Sequence, residues 1–137
     1  MGKRIMVILA GLALALGLLI WYVFFRGDRP FAGLEAGDLR SASVRLSPPD
    51  VTLELTEAER EELAGLLQKA VTHRRDDSWR EYAGQGVTYT LEFTDGTVRT
   101  VTEFYPFLIV DGVGYRASHD PCQALSQFGN RILSARG

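Results

Sequence analysis

Residues 5–25, "IMVILAGLALALGLLIWYVFF", run for twenty-one positions without a charge, an amide or a proline. At about 1.5 Å of rise per residue, a helix of that length matches the roughly 30 Å hydrocarbon core of a bilayer. A secretory signal peptide has a shorter apolar stretch of about 7–15 residues, then a small-x-small cleavage site. Ala13-Leu14-Ala15 offers such a site, which keeps a secreted domain as the alternative. Cutting there would leave the apolar residues 16–25 as a new terminus. No cysteine closes the run, so a lipoprotein anchor is excluded. The expected outcome is a retained span, marked along its length by Ile5, Leu9, Leu14, Leu19, Trp21 and Phe25.

Lys3 and Arg4 precede the span, Arg26 and Arg29 follow it, and Trp21 and Tyr22 lie at its distal end. The positive-inside rule, with a head too short and too cationic to translocate easily, favours a cytoplasmic amino terminus and an extracytoplasmic remainder. That remainder carries 13 of the 15 cations and all 17 carboxylates, a net charge of −4. Nucleic acid and anionic lipid both require clustered cations, so this average charge argues against either as a partner. A single cysteine rules out an internal disulfide, and the domain must be held by its core.

Residues 26–38, "RGDRPFAGLEAGD", mix glycine, proline and charge without periodicity and read as a flexible stalk. The chain thus divides into a signal-anchor (1–25), a stalk (26–38) and a folded domain (39–137). In the domain, alternation at Val44, Leu46, Val51, Leu53 and Leu55 around Pro48-Pro49 predicts a strand pair or a bent edge strand. Thr56 and Glu59 form a capping box. Leu63, Leu66, Leu67, Ala70 and Val71 then make an apolar stripe on a helix over 56–71. Gly65 inside that helix suggests a close approach to a strand. Asp95-Gly96 predicts a two-residue hairpin turn that pairs Phe93 with Val98, Tyr89 with Thr102, Val87 with Phe104 and Glu92 with Arg99. A second Asp-Gly bend falls at Asp111-Gly112. Asp120 as cap and Pro121 at the first position open a last helix whose stripe is Leu125, Phe128, Gly129, Ile132 and Leu133. The pattern predicts an α+β fold: an antiparallel meander packed against two amphipathic helices as a two-layer domain.

The candidate site is "THRRDDSWREYAGQG", residues 72–86, an aperiodic connection long enough to carry function. Its binding candidates are His73, Arg75, Asp76, Asp77, Trp79, Arg80 and Tyr82. Trp79 either anchors a partner or folds back on the core while the charges neutralise one another. Arg74, Arg75 and Arg80 interleave the carboxylates and His73, and no ligand spacing is matched, so no metal and no cofactor are expected. Ser118, His119 and Asp120 are chain neighbours that point apart and cannot form a catalytic relay; they read as a helix-capping cluster. Cys122 lies in line with the buried stripe as a small core residue, the alternative being an intermolecular disulfide. Gly11 with Ala15 and Ala13 with Gly17 would allow close helix packing in the span.

The helix "TLELTEAEREELAGLL", the loop "RRDDSWREY" and the hairpin "VTYTLEFTDGTVRTV", behind a membrane signal, resemble small uncharacterised extracytoplasmic proteins of Gram-positive bacteria. The likeness covers residues 51–115 and implies no catalytic residue. The expected function is a non-catalytic binding module at the cell envelope, held in the lipid bilayer by its amino-terminal helix and contacting an envelope protein. The alternative is a small envelope enzyme or enzyme inhibitor.

Overall fold

A computed structural model describes residues 2–47, 49–82, 84 and 86–136, together with all their side chains except those of 23–26. Phe25, as a side chain, and Pro48 therefore lie outside the described residues. Helix α1 (Gly2–Arg26) takes up the apolar run, and residues 2–22 are exposed along its length. It is long and apolar enough to cross a membrane. The remainder is α+β, with β1 (Leu39–Ser47), β2 (Val51–Glu54), α2 (Glu57–Gln68), β3 (Thr72–Arg75), β4 (Gly86–Phe93), β5 (Val98–Phe104), β6 (Phe107–Val110), β7 (Val113–Ala117) and α3 (His119–Arg136). The strands form one antiparallel sheet in the order β2-β1-β4-β5-β6-β7-β3. The meander covers β4 to β7. The β1/β2 hairpin extends it on one side, and α2 carries the chain across to β3 on the other.

Both helices lie on the same face of the sheet. Leu63, Ala64 and Leu67 of α2 and Cys122, Leu125, Phe128 and Ile132 of α3 close over Val44, Leu46, Val87, Tyr89, Leu91, Val101 and Leu108. The capping box forms as expected, with Thr56 accepting from the Glu59 N–H and Glu59 accepting from the Thr56 N–H. Two ion pairs, Glu59–Arg136 and Glu62–Arg131, tie the helices side by side. Gly129 is the point of closest approach. A Cβ there would stand 2.7 Å from Val87 Cγ1 and 3.1 Å from the Tyr89 hydroxyl, and that hydroxyl donates to the Leu125 carbonyl. Cys122 is a core residue, whose thiol burial pushes up to about 12.

Four expectations are corrected. The first hairpin closes through three residues. Phe93 donates to the Thr97 carbonyl, Gly96 sits at φ +90°, and the Asp95 carboxylate accepts from the Thr97 N–H. This shifts the register by one and turns every β5 side chain over. Tyr89 faces Val101, Val87 faces Glu103, and Leu91 faces Arg99; Phe104 moves to the opposite face. Glu92 bonds Ser41 and Arg40, and Arg99 pairs with Asp111.

Residues 28–38 are not a free stalk: Phe31 and Leu34 are buried in the main core, and Asp28 bridges to Thr72. Thr72–Arg75 is a seventh strand rather than loop. A Cβ on Gly65 would meet nothing within 4 Å, so no strand approaches it. Helix α3 begins at His119, a residue before the expected cap, which is within the ordinary fraying of helix ends.

Gly65→Ala is therefore expected to raise stability by about 0.5–1 kcal/mol. Gly129→Ala is expected to lower it by about 1–3 kcal/mol, because Val87 must move. Thermal or urea denaturation of the two variants checks both signs.

Candidate functional site

Helices cover one face of the sheet, so the other must be covered differently or left open. Both happen. On β6, Phe107 and Ile109 alternate away from the helices yet are almost fully buried, because the chain between β3 and β4 folds back over them.

Two carboxylates latch that segment. Asp76 accepts from the Ser78 N–H (3.0 Å) and from Arg116 Nε (2.8 Å), and its own N–H donates to the Gly114 carbonyl. Asp77 accepts from the Gly114 N–H (2.9 Å) and Arg75 Nε (3.0 Å). The Ser78 and Arg116 donors hold the Asp76 carboxyl well below the usual carboxylate range; the Gly114 amide, with Arg75, lowers that of Asp77. Asp76 caps a 3₁₀ turn over Asp77–Glu81, which seats Trp79 on Gly114. A Cβ on Gly114 would fall 2.3 Å from Trp79 Cδ1. Trp79 Nε1 is buried, with no hydrogen-bond partner of good geometry among the described residues. Arg116 lies over Phe107 at 4.8 Å and Tyr82 tilts against the same ring at 5.7 Å.

The latch stops at Tyr82, and a groove of about 460 Å³ opens beside it. Its floor is one cross-strand row, Arg45–Thr88–Thr102–Ile109, which ends at Gly114 beneath Trp79. At about 4.8 Å per strand, Arg45 and Ile109 are roughly 14 Å apart. Trp79, Arg80 and Tyr82 wall one side; Phe104 and Gly86 line the floor beyond. Thr88 and Thr102 share a hydrogen bond of 2.9 Å. Arg45 pairs with Asp50, whereas Arg80 rests only on the Trp79 ring at 5.3 Å, with no ion pair among the described residues. Tyr82 is 60 % exposed.

The seven sequence candidates thus separate. Arg75, Asp76 and Asp77 hold the latch, Trp79 packs on β7, and Arg80 and Tyr82 face the groove. His73 stands on the sheet edge, its Nε2 3.0 Å from the Ser118 hydroxyl at the start of α3. Arg45, Thr88, Thr102, Phe104 and Ile109 escaped the sequence reading. The three-residue hairpin loop would have revealed them, since it puts Thr102 and Phe104 on the helix-free face. No group of three or more metal-ligating side chains occurs among the described residues.

One carboxyl points the other way. Glu103 lies on the helix-covered face, buried, and its hydrogen bond is from the Tyr105 N–H at 3.0 Å. Burial raises its pKa, and together with burial its charge raises that of the Tyr89 hydroxyl.

Comparison with protein-family models, with curated proteins and with solved structures finds no match to this chain.

Since the folded pKa of Glu103 exceeds the unfolded one, its contribution to stability is complete below the unfolded value. It is lost as pH rises through the folded value. Glu103→Gln keeps the acceptor for Tyr105 and removes the charge. The variant should melt above the parent at pH 7, and the gap should close near pH 4; thermal melts at the two pH values check this.

Proposed function

We propose that the chain is a single-pass, membrane-anchored binding module. Its folded domain faces away from the cytoplasm and holds an extended, acidic segment of an envelope protein across the helix-free face of the sheet. The observation that carries the reading is the groove itself: an aromatic wall, a hydroxyl-lined floor and an arginine without a carboxylate partner among the described residues. Such a surface offers apolar contact, hydrogen bonds and one directed charge, the composition of a recognition site. Its described lining presents the hydroxyls of Ser47, Thr88, Thr102 and Tyr82 beside Arg45 and Arg80, groups that can hydrogen-bond and attract an anionic ligand.

The residues just beyond α1 support its retention. Asp28, two residues past the helix, already pairs with the sheet. Cleavage after Ala15 would leave an apolar tail fixed to a folded edge.

A photo-crosslinking residue at Tyr82 of the full-length protein in host membranes tests the reading. A discrete adduct that disappears when Arg80→Glu is added is the expected result. No adduct, or one indifferent to Arg80→Glu, contradicts it.

A further inference from the structure

We infer that the domain is not held at arm's length from the membrane, and that the β3 edge docks on anionic phospholipid headgroups of the bilayer that α1 spans. This rests on reading α1 as a membrane span.

The first support is the connection. Asp28 and Thr72 exchange two backbone hydrogen bonds, Asp28 N–H to the Thr72 carbonyl (2.7 Å) and Thr72 N–H to the Asp28 carbonyl (2.8 Å). Gly27, at φ +72°, fits only because it has no side chain: a Cβ would lie 2.6 Å from the Thr72 carbonyl oxygen and 2.9 Å from His73 Nδ1. Two residues, Arg26 and Gly27, separate Phe25 from Asp28, three steps with a reach of about 11 Å at most. The β3 edge is therefore confined to the headgroup layer.

The second support is charge. Seven arginines of the domain, including Arg40, Arg45, Arg99 and Arg131, form ion pairs. Among the described residues Arg60 donates to a carbonyl and Arg80 covers Trp79. That leaves Arg29, Lys69 and Arg74 without an anionic partner among those residues, and all three lie within three residues of the Asp28–Thr72 bridge. Against them stand the exposed Asp28 and, two residues past the Ser118 that bonds His73, the exposed Asp120; Asp77 is taken by Arg75. The net charge of −4 is thus unevenly distributed, with a cationic spot where the chain leaves the helix. A polar hollow of about 450 Å³ lined by Tyr22, Gly27, Asp28 and Arg29 opens at the same place. Cations within a Debye length of an anionic surface, about 8 Å at physiological salt, are drawn to it.

The test uses the full chain in nanodiscs of phosphatidylcholine alone or with about 30 % phosphatidylglycerol, enough to make the surface anionic. A dye is placed at His73→Cys, with the buried Cys122 left in place, and quenching by neutral acrylamide is measured. Docking predicts at least a two-fold drop in quenching with phosphatidylglycerol, reversed by about 1 M salt and by the triple change Arg29→Glu, Lys69→Glu, Arg74→Glu. Equal quenching in the two lipids overturns the inference. Carbonate extraction from vesicles is run in parallel. A chain that resists extraction but shows equal quenching is anchored and undocked, whereas a chain that is extracted removes the anchor reading and this inference together.

Discussion

Two backbone hydrogen bonds between Asp28 and Thr72 decide how the parts of this chain relate. They extend the sheet by one residue pair beyond β3 and join an apolar helix to a folded domain with almost no slack. A tether of thirteen flexible residues would let the domain sample a wide volume. The observed connection fixes one edge of the sheet beside the end of α1 and directs the rest of the segment inward. Phe31 and Leu34 then enter the core, and Gln68 donates to the Leu34 carbonyl across the start of the domain. The thirteen residues behave as part of the fold.

The same economy governs the sheet. Two helices, α2 and α3, bury one face, and among the described residues no α-helix packs on the other. Part of that second face is closed by the latch, in which Asp76 and Asp77 bind backbone amides and arginines rather than a ligand. Gly114 makes room for Trp79. The remainder, from Arg45 to Ile109, is open. That surface combines hydroxyl groups on its floor with aromatic rings at its rim. Burial, latch and groove are one arrangement: the segment that covers β6 and β7 also builds the wall beside the uncovered strands.

Much of the fold was legible from periodicity. The stripe through Leu63 and Leu67, the stripe through Leu125, Phe128 and Ile132, and the second hairpin at Asp111-Gly112 depend on local rules that a single sequence expresses. The features that escaped depend on contacts across the chain. Phe31 and Leu34 sit in a segment without a period, so their burial is set by a core assembled elsewhere. Thr72–Arg75 is too short and too charged to read as a strand; it becomes one because β7 offers an unpaired edge. The first hairpin failed on one residue. Asp-Gly serves two-residue and three-residue loops alike, and the choice between them sends Phe104 to the core or to the groove. The 72–86 segment, singled out as an aperiodic connection, places Trp79, Arg80 and Tyr82 beside the groove. Its acidic residues turned out to be structural because their donors, Gly114 and Arg116, are distant in sequence.

Amide hydrogen exchange of the full-length protein in a membrane mimetic puts the fixed connection to the sharpest test. A domain clamped at its β3 edge should show the Asp28 and Thr72 amides exchanging together, protected to a degree comparable with amides of β1 and β4. Exchange of Asp28 at the rate of an unstructured peptide, with Thr72 protected no better, would show the domain hanging on a loose tether and contradict it.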